Sequence, residues 1–174
     1  MLQRSMDSNI ERIKKDRQDQ LRKIYSVCCF SASNQINLMW SHYAESNTGF
    51  CIEYDFKSEG LTAEDIQLMF PVLYKEDARI MVNNIDRVDT SDLMHAATVK
   101  EINWQYEQEW RHIFLGNNIG PQHMPTPTAI YLGAKVSAQN QSWMIEFCRK
   151  HQIPLYRMDY DPKMNKLEPA SVSI

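Results

Sequence analysis

The stretch that decides the fold is residues 100–115, which read KEINWQYEQEWRHIFL. Apolar residues in it follow a helical spacing as far as Glu107 and then alternate with polar residues. Because strict alternation is typical of a half-buried strand, we predict a strand from about Glu109 to Leu115. Glu107, Glu109 and Arg111 would then form one row of charge on a single strand face, with the two carboxylates about 7 Å apart.

The segments around this stretch alternate irregularly between strand and helix patterns. Apolar runs and period-two alternation predict strands over 25–30, 50–56 and 129–132, and the last two segments of the chain have the pattern of a hairpin. Apolar spacings of three and four predict helices that begin near Ile36 and after Ser137. We therefore predict an α+β fold with a mixed, mainly antiparallel sheet and packed helices.

Charge sets the first 25 residues apart from the rest of the chain. They carry seven basic and four acidic side chains, against twelve and eighteen in the remainder. Because Ile10, Ile13 and Leu21 fall near one helical face, we predict a long amphipathic N-terminal helix over 1–25 and a single α+β domain over 26–174. The helix either covers its own domain or binds a partner, which includes a second copy of the chain in a homo-oligomer.

Composition excludes several classes of protein. The 174 residues are 43% hydrophobic and 24% charged, which is ordinary for a globular domain with its own core. A net charge of −3 gives no general attraction to nucleic acid or to an anionic membrane. The sequence shows neither a span of apolar residues long enough for a bilayer nor a signal peptide, so we expect a cytoplasmic protein.

The common motifs of phosphate-binding loops, dinucleotide folds, zinc proteases and nucleophile elbows are absent from the sequence. The four cysteines do not form a disulfide framework. Cys28 and Cys29 are adjacent on a predicted strand, where neighbouring side chains point to opposite faces. We therefore expect no metal site built on them.

Three groups of residues resemble a known family. They are Phe30-Ser31 with MWSHYA at 39–44 and GFCIEY at 49–54, the spaced Lys100, Trp104, Tyr106, Glu107, Glu109 and Arg111, and IYLGA at 130–134. Their order and spacing are similar to those of the bacterial domain of unknown function numbered 2971, over most of residues 28–160. That family has no agreed activity. Its members usually carry a further N-terminal portion, so the resemblance also implies that this chain is truncated relative to them.

The polar residues of these stretches support an enzymatic hypothesis. Two carboxylates on a rigid element can stabilise an oxocarbenium-like transition state during cleavage of an N-glycosidic bond. Ser31-x-Ser33 with Glu107-x-Glu109 is similar to the arrangement in arginine-serine-glutamate ADP-ribosyltransferases. This similarity implies that Glu109 is catalytic, that Glu107 positions the acceptor, and that the two serines brace the nicotinamide of NAD. The first-strand arginine of that class has no clear counterpart here.

Five more residues complete the hypothetical transferase site. His42 is a candidate general acid or base, since a histidine titrates near neutral pH. Trp40, Tyr43 and Trp104 are candidates for stacking on the substrate, and Arg111 for binding it. The activity expected of such a site is an NAD-directed or nucleotide-sugar transferase used in defence or as a toxin.

The same residues also fit a non-enzymatic alternative. Arg111 can pair with Glu107 or Glu109 as a planar anchor that holds one strand to its neighbour. The tryptophans then belong to the core, and the chain is a binding or assembly module for an unknown small molecule or protein. The sequence leaves both hypotheses open. They differ in whether Glu107 and Glu109 face a cleft that solvent can reach.

Overall fold

The computed structural model describes residues 9, 12, 25–57, 68–78, 94–95, 97–115, 124–164 and 166–174. The chain forms two compact units, the first from Met1–Ser31 with Gln67–Gln122 and the second from Ala32–Ile66 with His123–Ile174. The single domain expected over 26–174 stays a prediction. The predicted N-terminal helix falls, apart from residues 9, 12 and 25, outside the described residues.

The first unit contains a three-stranded antiparallel sheet. Its strands are β1 (Tyr25–Ser31), β6 (Glu109–Leu115) and β3 (Met69–Pro71), and β6 lies between the other two. The register of β1 on β6 places Ser31 opposite Glu109 and Cys29 opposite Arg111. The strand predicted from Glu109 to Leu115 is therefore confirmed, and it is the central strand of its sheet.

A parallel pair of short strands leads into the charged stretch. The pair consists of β4 (Leu73–Lys75) and β5 (Val99–Glu101), and β5 continues into a 3₁₀ helix over Ile102–Glu107. From the sequence alone, a helix cap at Thr90 or Ser91 and the spacing of the residues after it predict one helix with Ala97, Lys100 and Trp104 on a single side. That prediction is wrong beyond residue 98, because pairing of Val99 with Leu73 outweighs the local helical pattern.

The second unit contains a four-stranded sheet with a helix against each face. The strands run in the order β2 (Phe50–Glu53), β7 (Ala129–Leu132), β8 (Leu155–Asp161) and β9 (Lys166–Ser171). Only β7 and β8 are parallel, and helix α2 (Ala138–His151) connects them. Helix α1 (Asn37–Tyr43) precedes β2. The predicted α+β class with a mixed, mainly antiparallel sheet is confirmed in the described residues.

The two faces of β7 bury different side chains, as the period of two in a strand requires. Tyr131 packs with Trp40 and Met158 in one cluster, whereas Leu132 packs with Cys148 of α2 in the other. Full burial of each large apolar side chain contributes about 1.5–3 kcal/mol. Within the described segments, no helix is long and apolar enough to cross a membrane.

The turn after α1 is held against the turn after β7. Asn47, with a left-handed φ of 72°, accepts a hydrogen bond at its carbonyl oxygen from the Lys135 N–H at 2.9 Å. The Gly133 N–H donates to the Gly49 carbonyl at 2.9 Å. A Cβ atom on Gly133 would lie 2.2 Å from the Asn47 carbonyl oxygen, so only glycine fits at this position without moving the backbone.

We predict that Gly133→Ala destabilises the second unit by about 1–3 kcal/mol, the usual cost of overpacking a tight contact. The loss arises because the new methyl group pushes the two turns apart. Urea unfolding at neutral pH measures it, with the exposed neighbour Ala134→Ser as the matched control. Equal stability of Gly133→Ala and the wild type would contradict this account of the turn.

Candidate functional site

One left-handed residue brings the two carboxylates of the charged stretch together. Glu107 ends the 3₁₀ helix, Gln108 follows with φ 47° and ψ 48°, and Glu109 begins β6. The expectation that Glu107 and Glu109 share one strand face is therefore wrong. They lie on two consecutive elements, and their side chains meet at the ammonium group of Lys100 because the backbone reverses at Gln108.

Two cations and two carboxylates form what we call the charge network, composed of Lys100, Glu107, Glu109 and Arg111. The Nζ of Lys100 donates to Oε2 of Glu107 at 2.5 Å and to Oε2 of Glu109 at 2.9 Å. Arg111 donates from Nε to Oε1 of Glu109 at 2.7 Å and from Nη2 to Oε2 at 3.3 Å. The formal charges of the four side chains cancel.

The carboxylates of the charge network are more deeply buried than its cations. Glu107 and Glu109 are 2% and 5% exposed, whereas the side chains of Lys100 and Arg111 are 21% and 15% exposed. A buried carboxylate is costly unless it is paired and hydrogen-bonded. Lys100 and Arg111 therefore supply the pairing and the hydrogen bonds that the buried carboxylates need.

Hydrogen bonds between side chains and the backbone tie the charge network to the neighbouring strands. The hydroxyl of Ser31 donates to the Glu107 carbonyl at 2.7 Å, and the Glu109 N–H donates to the Tyr74 hydroxyl at 2.8 Å. Arg111 reaches further, since its Nη1 donates to the carbonyl of Ala97 at 2.7 Å. β1, β4, β6 and the segment before β5 are thus linked through one cluster.

Opposing effects of burial and hydrogen bonding set the pKa of Glu109 and that of Lys100 in the charge network. Burial alone would raise the pKa of Glu109, but hydrogen bonds from Arg111, Cys29 and Lys100 outweigh it and hold the pKa at about 2. Burial would lower the pKa of Lys100, but its hydrogen bonds to Glu107 and Glu109 raise it. Glu109 and Lys100 are therefore both charged at neutral pH.

Cys29 joins the charge network as a hydrogen-bond donor. Desolvation, the hydrogen bond to Glu109 and the negative charge of that carboxylate raise the pKa of the Cys29 thiol to about 11. Nucleophilic attack requires the thiolate. Cys29 therefore supports Glu109 as a neutral thiol at neutral pH.

Trp104 forms part of the surface beside Lys100. The Nζ of Lys100 lies 5.0 Å from the centroid of the Trp104 ring, within the range of a cation–π interaction. The indole is 38% exposed and its ring lies 6.1 Å from that of Tyr106. The residue expected to stack on a substrate thus also contacts a lysine of the network.

The remaining predicted site residues lie in the second unit. Trp40 is 3% exposed, packs in the core and donates from Nε1 to the Asn34 carbonyl at 2.6 Å, so its ring is not presented to solvent. Ser33 accepts a hydrogen bond at its hydroxyl oxygen from the Gln35 N–H at 3.1 Å. His42 and Tyr43 are exposed, with ring centroids 6.4 Å apart.

The structure therefore divides the predicted site between its two units. The first unit brings together Ser31, Trp104, Glu107, Glu109 and Arg111, and the second unit holds Ser33, Trp40, His42 and Tyr43. Sequence reasoning missed three residues of the cluster, Cys29, Tyr74 and Lys100. Lys100 could have been identified from the sequence, because it belongs to the same spaced motif as Glu107, Glu109 and Arg111. No pattern in the sequence distinguishes Tyr74.

A cavity of about 480 Å³ lies elsewhere in the first unit. Among the described residues, Glu76, Asp77, Ala78 and Glu101 line it, and no residue of the charge network does. The described residues hold no group of three histidine, cysteine or acidic side chains placed to bind a metal ion. The cavity does not present the carboxylates of the charge network to a ligand.

Comparison with known proteins returns a family. Residues 39–112 match the sequence model of a family described as "Protein of unknown function (DUF2971)". The matched segment includes the MWSHYA and GFCIEY stretches as well as the charge network. Neither a curated protein nor a solved structure matches the chain.

We predict that Glu109 makes stability depend on pH in the acid range. Its pKa of about 2 in the folded protein lies below the ordinary value of 4.5, so its ionised form stabilises the fold above pH 4.5. That contribution is lost as the pH falls from 4.5 towards 2. Urea unfolding of the wild type and Glu109→Gln should show a difference that shrinks over this window, and a difference independent of pH would contradict the assignment.

Proposed function

We propose a non-enzymatic function for this chain, whose residues 39–112 match the DUF2971 family of proteins of unknown function. In this proposal the chain is a binding or assembly module of the bacterial cytoplasm, with a small molecule or a protein as its partner. The charge network holds its first unit together and takes no part in a reaction.

Burial of the two carboxylates carries this proposal. Glu107 and Glu109 are 2% and 5% exposed, and both are bound to Lys100. A carboxylate that stabilises a transition state must contact the reacting atoms of the substrate. Lys100 and Arg111 already occupy the positions next to these carboxylates that such a substrate would need.

The hydrogen bonds of Glu109 support the same interpretation. Oε1 accepts from Nε of Arg111, and Oε2 accepts from Lys100 and from Nη2 of Arg111. With a pKa of about 2, this carboxyl group has no proton to donate at neutral pH. A general acid needs a pKa near the working pH, so Glu109 is poorly suited to that role.

The charge network also joins β5, β6 and the segment before β5 to one another. Glu109 begins the central strand β6, Lys100 lies on β5, and Arg111 binds both Glu109 and the carbonyl of Ala97. The strands β4 and β5 are short, each of three residues, and gain few ladder hydrogen bonds. Charge-assisted hydrogen bonds from β5 and β6 compensate for this, because they are stronger than neutral ones.

Replacement of Glu109 tests the proposal directly. We predict that Glu109→Gln destabilises the protein by roughly 3–5 kcal/mol, because it removes one partner of a buried ion pair and leaves Lys100 and Arg111 undercompensated. Urea unfolding measures the loss. The matched control is Glu101→Gln, an exposed glutamate eight residues earlier in the chain, which should change stability by no more than about 0.5 kcal/mol.

The outcome that contradicts the module is specific. If Glu109→Gln keeps the stability of the wild type and removes an NAD-consuming activity that the wild type has, the network is catalytic. Under the module, neither protein consumes NAD and only the stability of the glutamine variant changes.

One observation favours a second candidate, an ADP-ribosyltransferase. Ser31 lies opposite Glu109 in the register of β1 on β6, and its hydroxyl binds the carbonyl of Glu107. The first serine and the Glu-x-Glu pair expected for such an enzyme are therefore neighbours. For catalysis, NAD would have to displace Lys100 from Glu109, with Arg111 and Trp104 at the edge of the site.

We predict for this candidate that the purified protein, incubated with NAD and cell extract, produces macromolecules whose mass is raised by ADP-ribose. Glu109→Gln should abolish the modification while Glu101→Gln retains it. Mass spectrometry of the extract and release of nicotinamide are the two readouts. Absence of both with the folded wild-type protein rejects the transferase.

A further inference from the structure

Strand β2 lies at one edge of the four-stranded sheet in the described part of the second unit. Among the described strands, β2 pairs only with β7. The carbonyls of Gly49 and Glu53 accept hydrogen bonds from the β7 side, from Gly133 and Thr128, each at 2.9 Å. In an antiparallel ladder alternate residues face opposite edges, so the backbone N–H and C=O groups of residues 50 and 52 point away from β7.

The opposite edge of the same sheet is built differently. β9 carries Pro169, which has no N–H, and an exposed ion pair between Lys166 and Glu168 at 2.7 Å. Proline and charged side chains on an edge strand discourage pairing with another chain. β2 has neither a proline nor a lysine within Phe50–Glu53, and the carboxylate of its terminal Glu53 accepts hydrogen bonds from Thr128, next to β7, and from Tyr131 of β7. The two edges of this sheet therefore differ in their capacity to add a strand.

The side chains of β2 that share a face are apolar and exposed. Phe50 and Ile52 are 52% and 37% exposed and stand beside Leu132 and Ile130, the β7 residues on the α2 side of the sheet. Cys51 lies on the other face, against the cluster that contains Trp40. A strand added at this edge would therefore gain apolar contacts on both faces.

We propose that β2 pairs antiparallel with β2 of a second copy of this chain, with Cys51 opposite Cys51 of the partner copy. In this register Phe50 lies opposite Ile52 of the other copy and Ile52 opposite Phe50. Both pairs use outward-facing backbone groups, so each exchanges two bonds and the contact contains roughly four backbone hydrogen bonds. The two sheets become one continuous sheet across the dimer.

Charge and strand length favour this register over its neighbours. A shift that places Ile52 opposite itself leaves only one outward-facing pair within Phe50–Glu53 and moves the next pair to Tyr54, beyond the strand. Registers centred on residue 53 or 54 place Glu53 opposite Glu53 or Asp55 of the partner copy, and like charges directly opposite are destabilising. In the register centred on Cys51, Glu53 faces Gly49.

This surface lies in the second unit and involves no residue of the charge network. The dimer therefore extends the proposed function without resting on it. Sedimentation reports on the dimer, whereas NAD turnover and the stability of Glu109→Gln report on the module. Failure of one proposal is thereby distinguishable from failure of the other.

Sedimentation equilibrium over roughly 1–200 μM protein tests the association. The wild type should show a reversible equilibrium between monomer and dimer. Ile52→Lys should weaken the dimer at least about tenfold, since it places two lysines in the apolar contact. Met164→Lys, at an exposed apolar position in the β8–β9 turn, is the control and should leave the association unchanged. A monomer at all concentrations, a larger assembly, or a dimer insensitive to Ile52→Lys would overturn the proposal.

Disulfide trapping tests the register. Opposed residues of a non-hydrogen-bonded pair have Cα atoms about 4.5 Å apart, within the span of a disulfide. In a Cys28→Ser/Cys29→Ser background, mild oxidation at alkaline pH should produce a covalent dimer that thiol reductant dissolves. Cys51→Ser should remove it. Failure to form the covalent dimer under conditions where sedimentation detects association overturns the register centred on Cys51.

Discussion

The ammonium group of Lys100 lies between the carboxylates of Glu107 and Glu109, and the first unit depends on this contact. Both carboxylates are almost inaccessible to solvent, and a buried carboxylate is costly unless a cation pairs with it. Lys100 serves both, while Arg111 binds Glu109 from β6 and reaches the carbonyl of Ala97. If Lys100 were absent, two negative charges would face each other inside the protein.

This constraint also decides how a pair of glutamates should be interpreted. Glu-x-Glu beside a serine turn is compatible with catalysis, and Ser31 does lie next to the pair. Catalysis, however, requires carboxylate oxygens that a substrate can contact, whereas those of Glu109 are shared among Arg111, Lys100 and Cys29. Glu107, Glu109 and Arg111 suggest chemistry in the sequence, but in space they pair with one another and with Lys100, so that the four charges are neutralised.

In the second unit, the centre of the sheet is buried, whereas its two edges differ in how they are protected. Its central strand β7 is buried on both faces, and the residues that cover it, Trp40 and Cys148, lie on opposite sides. One edge ends in a proline-bearing strand, whereas the other exposes Phe50 and Ile52. Apolar burial stabilises the interior of this sheet, while the proposed dimer would use the backbone groups of β2 that face away from β7.

Local patterns in the sequence were sufficient for β6 from Glu109, for β7 and for the helix capped by Ser137, because alternation, apolar runs and caps involve residues close together in the chain. They were not sufficient for β5, where pairing with β4 replaced a helical spacing. Nor did they place Lys100 between the glutamates, since that contact depends on the left-handed backbone at Gln108. Residue types and their order came from the sequence alone; which charges meet, and how deeply they are buried, was decided by tertiary structure, because burial and strand pairing join segments distant in the chain.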